Sequence, residues 1–265
     1  MKLFILTAEP DSAGIIRLEG KDRHYLTRVR RMAVGEIFPA LLPSGEEVSV
    51  KILSITKNTL TVKPCCAEPH YHVNSLPESK RLILLQALPK ADKMDIIVRQ
   101  AAESGISEIV PFVSEFSVAK TKTEGQKFSR WERIIKEARQ QSGSKTETKL
   151  HNPMLKEDIL NYWQKVKEKG ALGLLFHHVR SIDGSGVLEQ NSLHRYLEGN
   201  PKIVVFVIGP EGGFSDAEVA LFLENGFKPL TIGDTILRTE TAALYCAAAI
   251  RITLLERESW ELKKT

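Results

Sequence analysis

Cysteine is scarce in this sequence, with three residues among 265. Cys65 and Cys66 are adjacent, so they are poorly placed to bridge each other, and Cys246 lies in an alanine-rich stretch. A disulfide framework is therefore excluded, because folds that depend on one carry paired cysteines at regular spacings. The odd count is typical of a reducing compartment, and we expect a cytoplasmic protein.

Long apolar runs are also lacking. No stretch approaches the roughly 20 residues that a transmembrane helix needs, and the N-terminus has no signal-peptide pattern. We therefore expect no membrane partner. A hydrophobic content of 42% and a charged content of 26% are ordinary for a globular protein of one large domain or two modest ones.

Several common functional motifs are missing. The chain has no G-x-G-x-x-G after a strand and no G-x-x-x-x-G-K-[ST], so neither a Rossmann dinucleotide site nor a P-loop is indicated. The four candidate ligands Cys65, Cys66, His70 and His72 are not spaced for a tetrahedral metal, and we predict no metal site. No Ser-His-Asp arrangement stands out either.

Positive charge is modest in total but clustered. The net charge is +4, and five basic residues lie between Lys21 and Arg31 against the single acid Asp22. Nine more basic residues lie between Lys120 and Lys149, against four acids. Clusters in two regions suit a polyanion such as RNA, because phosphate contacts supply sequence-independent affinity. A solvated basic face explains the same pattern equally well.

The first 72 residues differ in pattern from the rest. Short apolar segments with turn signals between them, as in 36–42, 48–53 and 59–62, predict several strands and a small β-barrel. Residues 64–77 form the expected linker. From residue 81 onward, apolar strand-like runs alternate with helical patterns, which predicts a parallel sheet covered by helices on both faces. Capping boxes at Ser129 and Ser215 mark two of the helix starts.

A glycine-rich turn, Gly209-Pro-Glu-Gly-Gly213, follows a predicted strand and precedes a helix. This is the usual ligand-binding edge of an α/β sheet, and glycine lets backbone approach a ligand closely. The free amides of the helix that begins near Ser215 point back toward the turn. Taken alone, the motif fits a tight turn without a ligand just as well.

A second turn supports the ligand interpretation. Ile236 and Leu237 precede a polar helix start, where they could line a flat apolar group such as a purine ring. Arg238 sits at the helix N-terminus, where the helix dipole disfavours a positive charge, so it is a candidate for anion recognition. An ion pair with Glu240 or Asp234 is the alternative. Two backbone-rich turns in succession suit a nucleoside-like ligand.

Together these segments resemble the RsmE family, which methylates N3 of a uridine in 16S ribosomal RNA with S-adenosylmethionine. The resemblance covers essentially the whole chain. Its most specific motifs are Ile208–Ser215 and Ile236–Ala242, and the segments Gln86–Asp95, Ser104–Pro111 and Gln140–Gly143 match further parts of the pattern.

The resemblance implies a PUA-like β-barrel for RNA binding over residues 1–72 and a SPOUT methyltransferase domain over 73–265. The SPOUT domain is an α/β fold with a parallel sheet and a C-terminal trefoil knot. Such enzymes are generally homodimers, and the substrate would be 16S ribosomal RNA, free or within the assembled small ribosomal subunit.

The resemblance also implies residue roles. Three loops would hold the cofactor, with these residues in contact: Phe176, His177, Ile208, Gly209, Pro210, Glu211, Gly212, Gly213, Ile232, Gly233, Ile236, Leu237, Arg238, Thr239, Thr241 and Ala242. RNA would be bound by Arg23, His24, Arg28, Arg30, Arg31 and Lys90. From the chemistry of the reaction, we expect Arg238 to stabilise the uracil anion. Glu240 is our candidate for the general base, with a helix-capping role as the alternative.

Two other functions fit the same sequence. One is a non-catalytic RNA-binding protein that kept the scaffold, which would have no need of S-adenosylmethionine. The other is a SPOUT methyltransferase that modifies a different RNA position, because the selected nucleotide depends on the shape of the surface and of the substrate.

Overall fold

The computed structural model describes residues 4–65, 80–117, 125–177, 192–231 and 235–261, with side chains up to 256. Contacts divide the chain into two compact units. The first comprises residues 1–73 with 139–145, and the second comprises 74–138 with 146–265. The predicted boundary at residue 72 lies outside the described residues and stays a prediction.

The first unit is a mixed five-stranded sheet in the order β1-β3-β4-β5-β2. More and less buried residues alternate along β2, in the middle of β4 and in the first half of β5, as the alternation in the sequence predicts. One hydrophobic core fills the unit. Among the strands that the structure describes in this unit, β1 and β3 pair in parallel and the other three neighbouring pairs are antiparallel. Its elements are β1 (Phe4–Ile5), β2 (Ile16–Glu19), α1 (Gly20–His24), a π-helical turn (Tyr25–Val29), β3 (Ile37–Leu41), β4 (Glu47–Ile55) and β5 (Thr59–Cys65).

The second unit is a six-stranded parallel sheet in the order β11-β9-β10-β6-β7-β8. Its strands are β6 (Arg81–Ala87), β7 (Glu108–Phe112), β8 (Lys149–Leu150), β9 (Leu172–Phe176), β10 (Ile203–Ile208) and β11 (Lys228–Leu230). Its helices are α2 (Lys93–Glu103), α3 (Gly125–Ser142), α4 (Lys156–Lys167), α5 (Leu193–Tyr196), α6 (Asp216–Glu224) and α7 (Thr239–Glu261).

Helices cover both faces of this sheet, which confirms the predicted layering. Leu82 and Leu84 of β6 pack in one core with α2, α3 and α7. Ile83 and Leu85, one residue out of phase, pack in the other core with α4 and α6. This alternation explains the continuous apolar runs in the sequence, because a strand buried on both faces has no solvent side.

Some elements differ from the prediction. The capping box at Ser129 is wrong, because α3 spans Gly125–Ser142 and Ser129 lies inside it. Helix α4 was not predicted, although Ile159, Trp163 and Val166 have helical spacing and are buried. The two-residue strands β1 and β8 are too short to give a periodic signal.

The predicted trefoil knot depends on the course of residues 178–191 and 232–234. These lie outside the described residues, so the knot stays a prediction. Within the described part of the chain, no helix is long and apolar enough to cross a membrane.

Candidate active site

A cavity of about 490 Å³ opens at the carboxyl edge of the parallel sheet in the second unit. It lies where β9 and β10 end and where α7 begins. Because parallel strands all point their carboxyl ends to one edge, this is where an open α/β sheet binds ligands. The described residues that line it are Lys93, Phe176, His177, Ile208, Gly209, Pro210, Glu211, Gly212, Gly213, Leu230, Thr231, Thr235, Ile236, Leu237, Arg238, Thr239, Ala242 and Cys246.

The glycine turn forms one wall of the cavity. A side chain at Gly209 would lie 3.3 Å from the backbone of Gly213, and one at Gly212 would lie 3.0 Å from Cβ of Phe116. Gly213 has a positive φ of 71°, which glycine adopts without strain. The turn therefore has its compact shape because its three glycines lack side chains.

The capping box at Ser215 anchors this turn to α6, as predicted. The Ser215 hydroxyl accepts from the Glu218 amide at 3.3 Å, and the Glu218 carboxylate accepts from the Ser215 amide at 3.1 Å. The other carboxylate oxygen of Glu218 accepts from the amide of Glu115 at 2.9 Å. One buried carboxylate thus ties α6 to the loop after β7.

The start of α7 is fastened to the sheet by a chain of hydrogen bonds. The buried side-chain amide of Gln86 donates to the Thr239 hydroxyl at 3.1 Å, and that hydroxyl donates to the carbonyl of Gly209 at 2.6 Å. These contacts join the ends of β6 and β10 to the N-terminus of α7. Because α7 is anchored there, its unpaired amides are held beside the cavity.

Four charged residues converge on the cavity rim. The Lys93 ammonium lies 2.9 Å from Oε1 of Glu211 and 3.7 Å from Oε2 of Glu240. The amide of Lys90 also donates to Glu211 at 3.1 Å. The fourth charge belongs to Arg238, an exposed residue that makes no ion pair with any acid of the described ranges. The alternative pairing with Glu240 is therefore not observed, and the other alternative partner, Asp234, lies outside the described residues.

The two pKa shifts at this rim have opposite signs. Hydrogen bonding to Glu211 raises the pKa of Lys93, and the negative charges of Glu211 and Glu240 raise it further against the effects of burial and Arg238. Burial favours a higher pKa for Glu211, but the bonds from Lys93 and the backbone outweigh it, so the pKa of Glu211 is lowered. Both groups are therefore charged at neutral pH.

Most of the predicted cofactor residues lie together around the cavity. One exception is Thr241, which is exposed and is not in the lining. The candidate base Glu240 is also outside the lining and contacts Lys93 beside the cavity. The side-chain oxygen Oε2 of Glu240 is buried without a hydrogen-bond partner among the described residues. The general-base role of Glu240 and its helix-capping alternative both stay predictions. Ile232 and Gly233 lie outside the described residues.

Sequence reasoning missed five lining residues. They are Lys93, Leu230, Thr231, Thr235 and Cys246. The sequence could have indicated Lys93, because the helix dipole opposes a positive charge at the first position of a helix, as it does for the arginine at the start of α7. Cys246 lies 3% exposed in α7, and burial raises the pKa of its thiol, so it is a lining group and not a nucleophile.

The predicted RNA-binding arginines of the first unit are in different environments. Arg23 donates twice to the carbonyl of Thr56, at 3.0 and 2.6 Å, and Arg30 lies 5.8 Å from the centre of the Phe38 ring. Both are therefore engaged in the fold. The other three candidates in this unit, His24, Arg28 and Arg31, are exposed.

Arg31 also has a positive φ of 54°, which is rare for a residue with a side chain. The remaining candidate, Lys90, has an exposed side chain in the second unit next to Glu211. The residues that the structure describes contain no group of three His, Cys, Asp or Glu side chains arranged to hold a metal.

Comparison with known proteins identifies both units. A family model described as an RNA methyltransferase domain matches residues 77–251, and a model described as an RNA methyltransferase PUA domain matches 18–65. The two-unit fold and the cavity at the sheet edge are therefore those of an RNA methyltransferase, and the predicted PUA-like first unit is confirmed.

Individual relatives agree with the family models. Ribosomal RNA small subunit methyltransferase E of Synechocystis is 29% identical, over 94% of this chain and 77% of that protein. The Bacillus subtilis protein of the same name is 26% identical, over 91% of each chain. A Legionella pneumophila structure in complex with the cofactor S-adenosylmethionine is 25% identical with a TM-score of 0.70, covering 95% of this chain and 96% of that one. The chain belongs to the RsmE family, as the sequence motifs predicted.

Proposed function

We propose that this protein transfers a methyl group from S-adenosylmethionine to N3 of a specific uridine in 16S ribosomal RNA. The observation that carries the proposal is the cavity at the carboxyl edge of the sheet. It is lined by two turns rich in backbone groups, which suits the base and sugar of a nucleoside cofactor. Family membership and the cofactor in the related Legionella structure support the same choice.

The cofactor in this proposal contacts three segments. They are the end of β9 at Phe176 and His177, the turn Gly209–Gly213, and the segment that leads into α7. Ile236 is 82% exposed, which is costly for a large apolar side chain without a partner. A purine ring over Ile236 and Leu237 would cover that surface.

The reaction requires an anionic nucleophile. The N3 proton passes to a base, for which Glu240 is our candidate, and the N3 electron pair then bonds to the methyl carbon. The methyl–sulfur bond breaks as that bond forms, and its electrons remain on sulfur, which becomes a neutral thioether. We propose that Arg238 stabilises the anion through a carbonyl oxygen of the base, as fixed donors do in other active sites.

The substrate in this proposal is held by the first unit. Arg28 and Arg31 are exposed and available to phosphates, whereas Arg23 and Arg30 shape the surface from within the fold. His24 and Lys90 extend the predicted RNA contacts. The substrate is 16S ribosomal RNA or the assembled small subunit, and we place the reaction in the cytoplasm, where ribosomal subunits are made.

We propose that the protein is a homodimer through α7. Leu244, Tyr245 and Ile252 on this helix are 37%, 49% and 55% exposed, and their spacing puts them near one side of the helix. A second copy would bury this stripe. We expect sedimentation to show a dimer, and the double substitution Tyr245→Glu with Ile252→Glu to yield monomers. A wild-type monomer would contradict this proposal.

Methyl transfer can be tested directly. Small ribosomal subunits from cells that lack this enzyme are incubated with the protein and isotopically labelled S-adenosylmethionine, and the nucleosides are then analysed by mass spectrometry. We expect one labelled 3-methyluridine per subunit. Cofactor binding by calorimetry without any transfer would identify a different substrate, and absence of both would favour the non-catalytic RNA-binding alternative.

A further inference from the structure

The chemistry of the target base sets a requirement that one arginine does not meet. This inference rests on the proposed function. N3 of uracil lies between two carbonyl groups, so the negative charge left after loss of its proton spreads onto both oxygens, one on each side of N3. A complementary site therefore places a hydrogen-bond donor at each oxygen, and a cationic donor also opposes the negative charge directly.

The cavity supplies two such groups. Among its described lining residues, the side chains that are permanently cationic at neutral pH are Lys93 and Arg238. Lys93 is the first residue of α2, and Arg238 directly precedes α7. Both cations thus stand at helix N-termini, where the helix dipole opposes them and where a nearby anion is favoured.

The Lys93 ammonium is fixed but not saturated. It has three N–H donors. Glu211 accepts one at 2.9 Å, while Glu240 at 3.7 Å contributes attraction without a hydrogen bond. The Lys93 side chain is 30% exposed, so the ammonium is accessible from the cavity. The surrounding carboxylates raise the pKa of Lys93, which keeps it an ammonium and unsuited to act as a base.

We propose that Lys93 is a catalytic residue that donates to one carbonyl oxygen of the target uracil while Arg238 donates to the other. The pair stabilises the N3 anion before the methyl group is transferred. It adds no reactant to the proposed mechanism, since the N3 proton goes to the same base. Glu211 and Glu240 position the Lys93 ammonium and hold it charged.

The pair also makes the site selective for an imide edge. Cytosine presents an amino group in place of one of these carbonyls, and its N3 carries no proton. One of the two cations would then face the amino group of cytosine. Both groups are hydrogen-bond donors, so neither would have an acceptor, and the free-energy cost of burying them unpaired would disfavour cytidine strongly. Lys93 is therefore a specificity-determining residue for uridine over cytidine.

The test compares single-turnover methylation by Lys93→Met, Lys93→Arg and the wild type, with saturating S-adenosylmethionine and unmodified small subunits. Lys165→Met is the matched control, because Lys165 is an exposed lysine of α4 away from the cavity. We expect Lys93→Met to be about 100-fold slower, the usual effect of removing one such donor. We expect Lys93→Arg to stay within about tenfold of the wild type, because it keeps the charge.

Two further readouts separate anion stabilisation from a structural role. The pH–rate profile of Lys93→Met should move to higher pH by about two units, because each unit corresponds to a tenfold change and the expected loss of rate is about 100-fold. Subunits that contain 5-fluorouridine provide a more acidic N3, so the deficit of Lys93→Met should shrink severalfold on them. A structural defect would slow both substrates equally and leave the profile in place.

The outcomes are distinct. Wild-type protein that methylates no uridine would overturn the proposed function itself. An active wild type with Lys93→Met as fast as Lys165→Met, or with equal losses on uridine and 5-fluorouridine, would overturn the role of Lys93 alone. Binding of adenosylhomocysteine checks the fold of each variant. If Lys93→Met does not bind it, Lys93→Gln replaces that variant in both comparisons.

Discussion

Gly212 shows how single atoms shape the cavity. Replacing it with alanine would put a methyl group 3.0 Å from Cβ of Phe116, closer than carbon atoms normally pack. Since overpacking costs about 1–3 kcal/mol, we expect Gly212→Ala to weaken S-adenosylmethionine binding about tenfold, measured by calorimetry. Gly199→Ala is the control, because no atom lies within 4 Å of the added methyl group. Equal affinities in the two variants would show that the turn does not shape the cofactor site.

Arg238 is the residue on which the proposed chemistry depends most. Its guanidinium lies at the cavity without an ion-pair partner among the described acids, so it is available to a ligand. We expect Arg238→Ala to bind S-adenosylmethionine with unchanged affinity while turnover falls by about 10²–10³, as for loss of a fixed donor. Calorimetry and a methylation assay measure the two effects. Normal turnover in this variant would rule the role out.

The contact between α2 and the turn after β10 predicts how stability depends on pH. Lys93 and the Lys90 amide hold the pKa of Glu211 below its ordinary value of 4.5. This contact therefore stabilises the fold fully above that value, and the stabilisation is lost as the pH falls through the lowered pKa. We expect the melting temperature of the wild type to exceed that of Glu211→Gln at pH 7, and the difference to shrink as the pH falls below 4.5. A difference in melting temperature that does not shrink on acidification below 4.5 would contradict the assignment.

The sequence predicted those elements that have a strong local signal. The buried strands β6, β9 and β10 appear as continuous apolar runs, and α6 starts at its capping box. The capping box predicted at Ser129 was wrong because Ser129 and Glu132, although both lie inside α3, have the same spacing as a capping box. The strands β1 and β8 depend on pairing with residues distant in sequence, which no local pattern records.

The same distinction holds within the site. The two signature turns were found because each is a compact sequence motif. The contact between Lys93 and Glu240 joins residues almost 150 positions apart and exists only once α2 and α7 start beside the same cavity. The hydrogen bond from Arg23 to the carbonyl of Thr56 also joins residues far apart in the sequence. It could not be predicted for that reason, and Arg23 was instead predicted to contact RNA phosphates.

For the whole molecule, RNA binding is the property that depends on the first unit. We expect the double substitution Arg28→Glu with Arg31→Glu to raise the dissociation constant for ribosomal RNA and to flatten its salt dependence, because fewer counterions are released. Filter binding at several salt concentrations measures both. The control is Lys165→Glu with Lys169→Glu, which makes the same charge change at exposed positions near α4. If both proteins bind alike, the first unit does not contact the RNA.

The nucleotide that this protein modifies in the cell can be identified by mass spectrometry of 16S ribosomal RNA from cells with and without the gene. We expect one 3-methyluridine that is present with the gene, absent without it, and restored by the wild-type protein but not by Arg238→Ala. Identical 16S modification profiles in the two strains, or a lost methyl group at any atom other than uridine N3, would contradict this expectation.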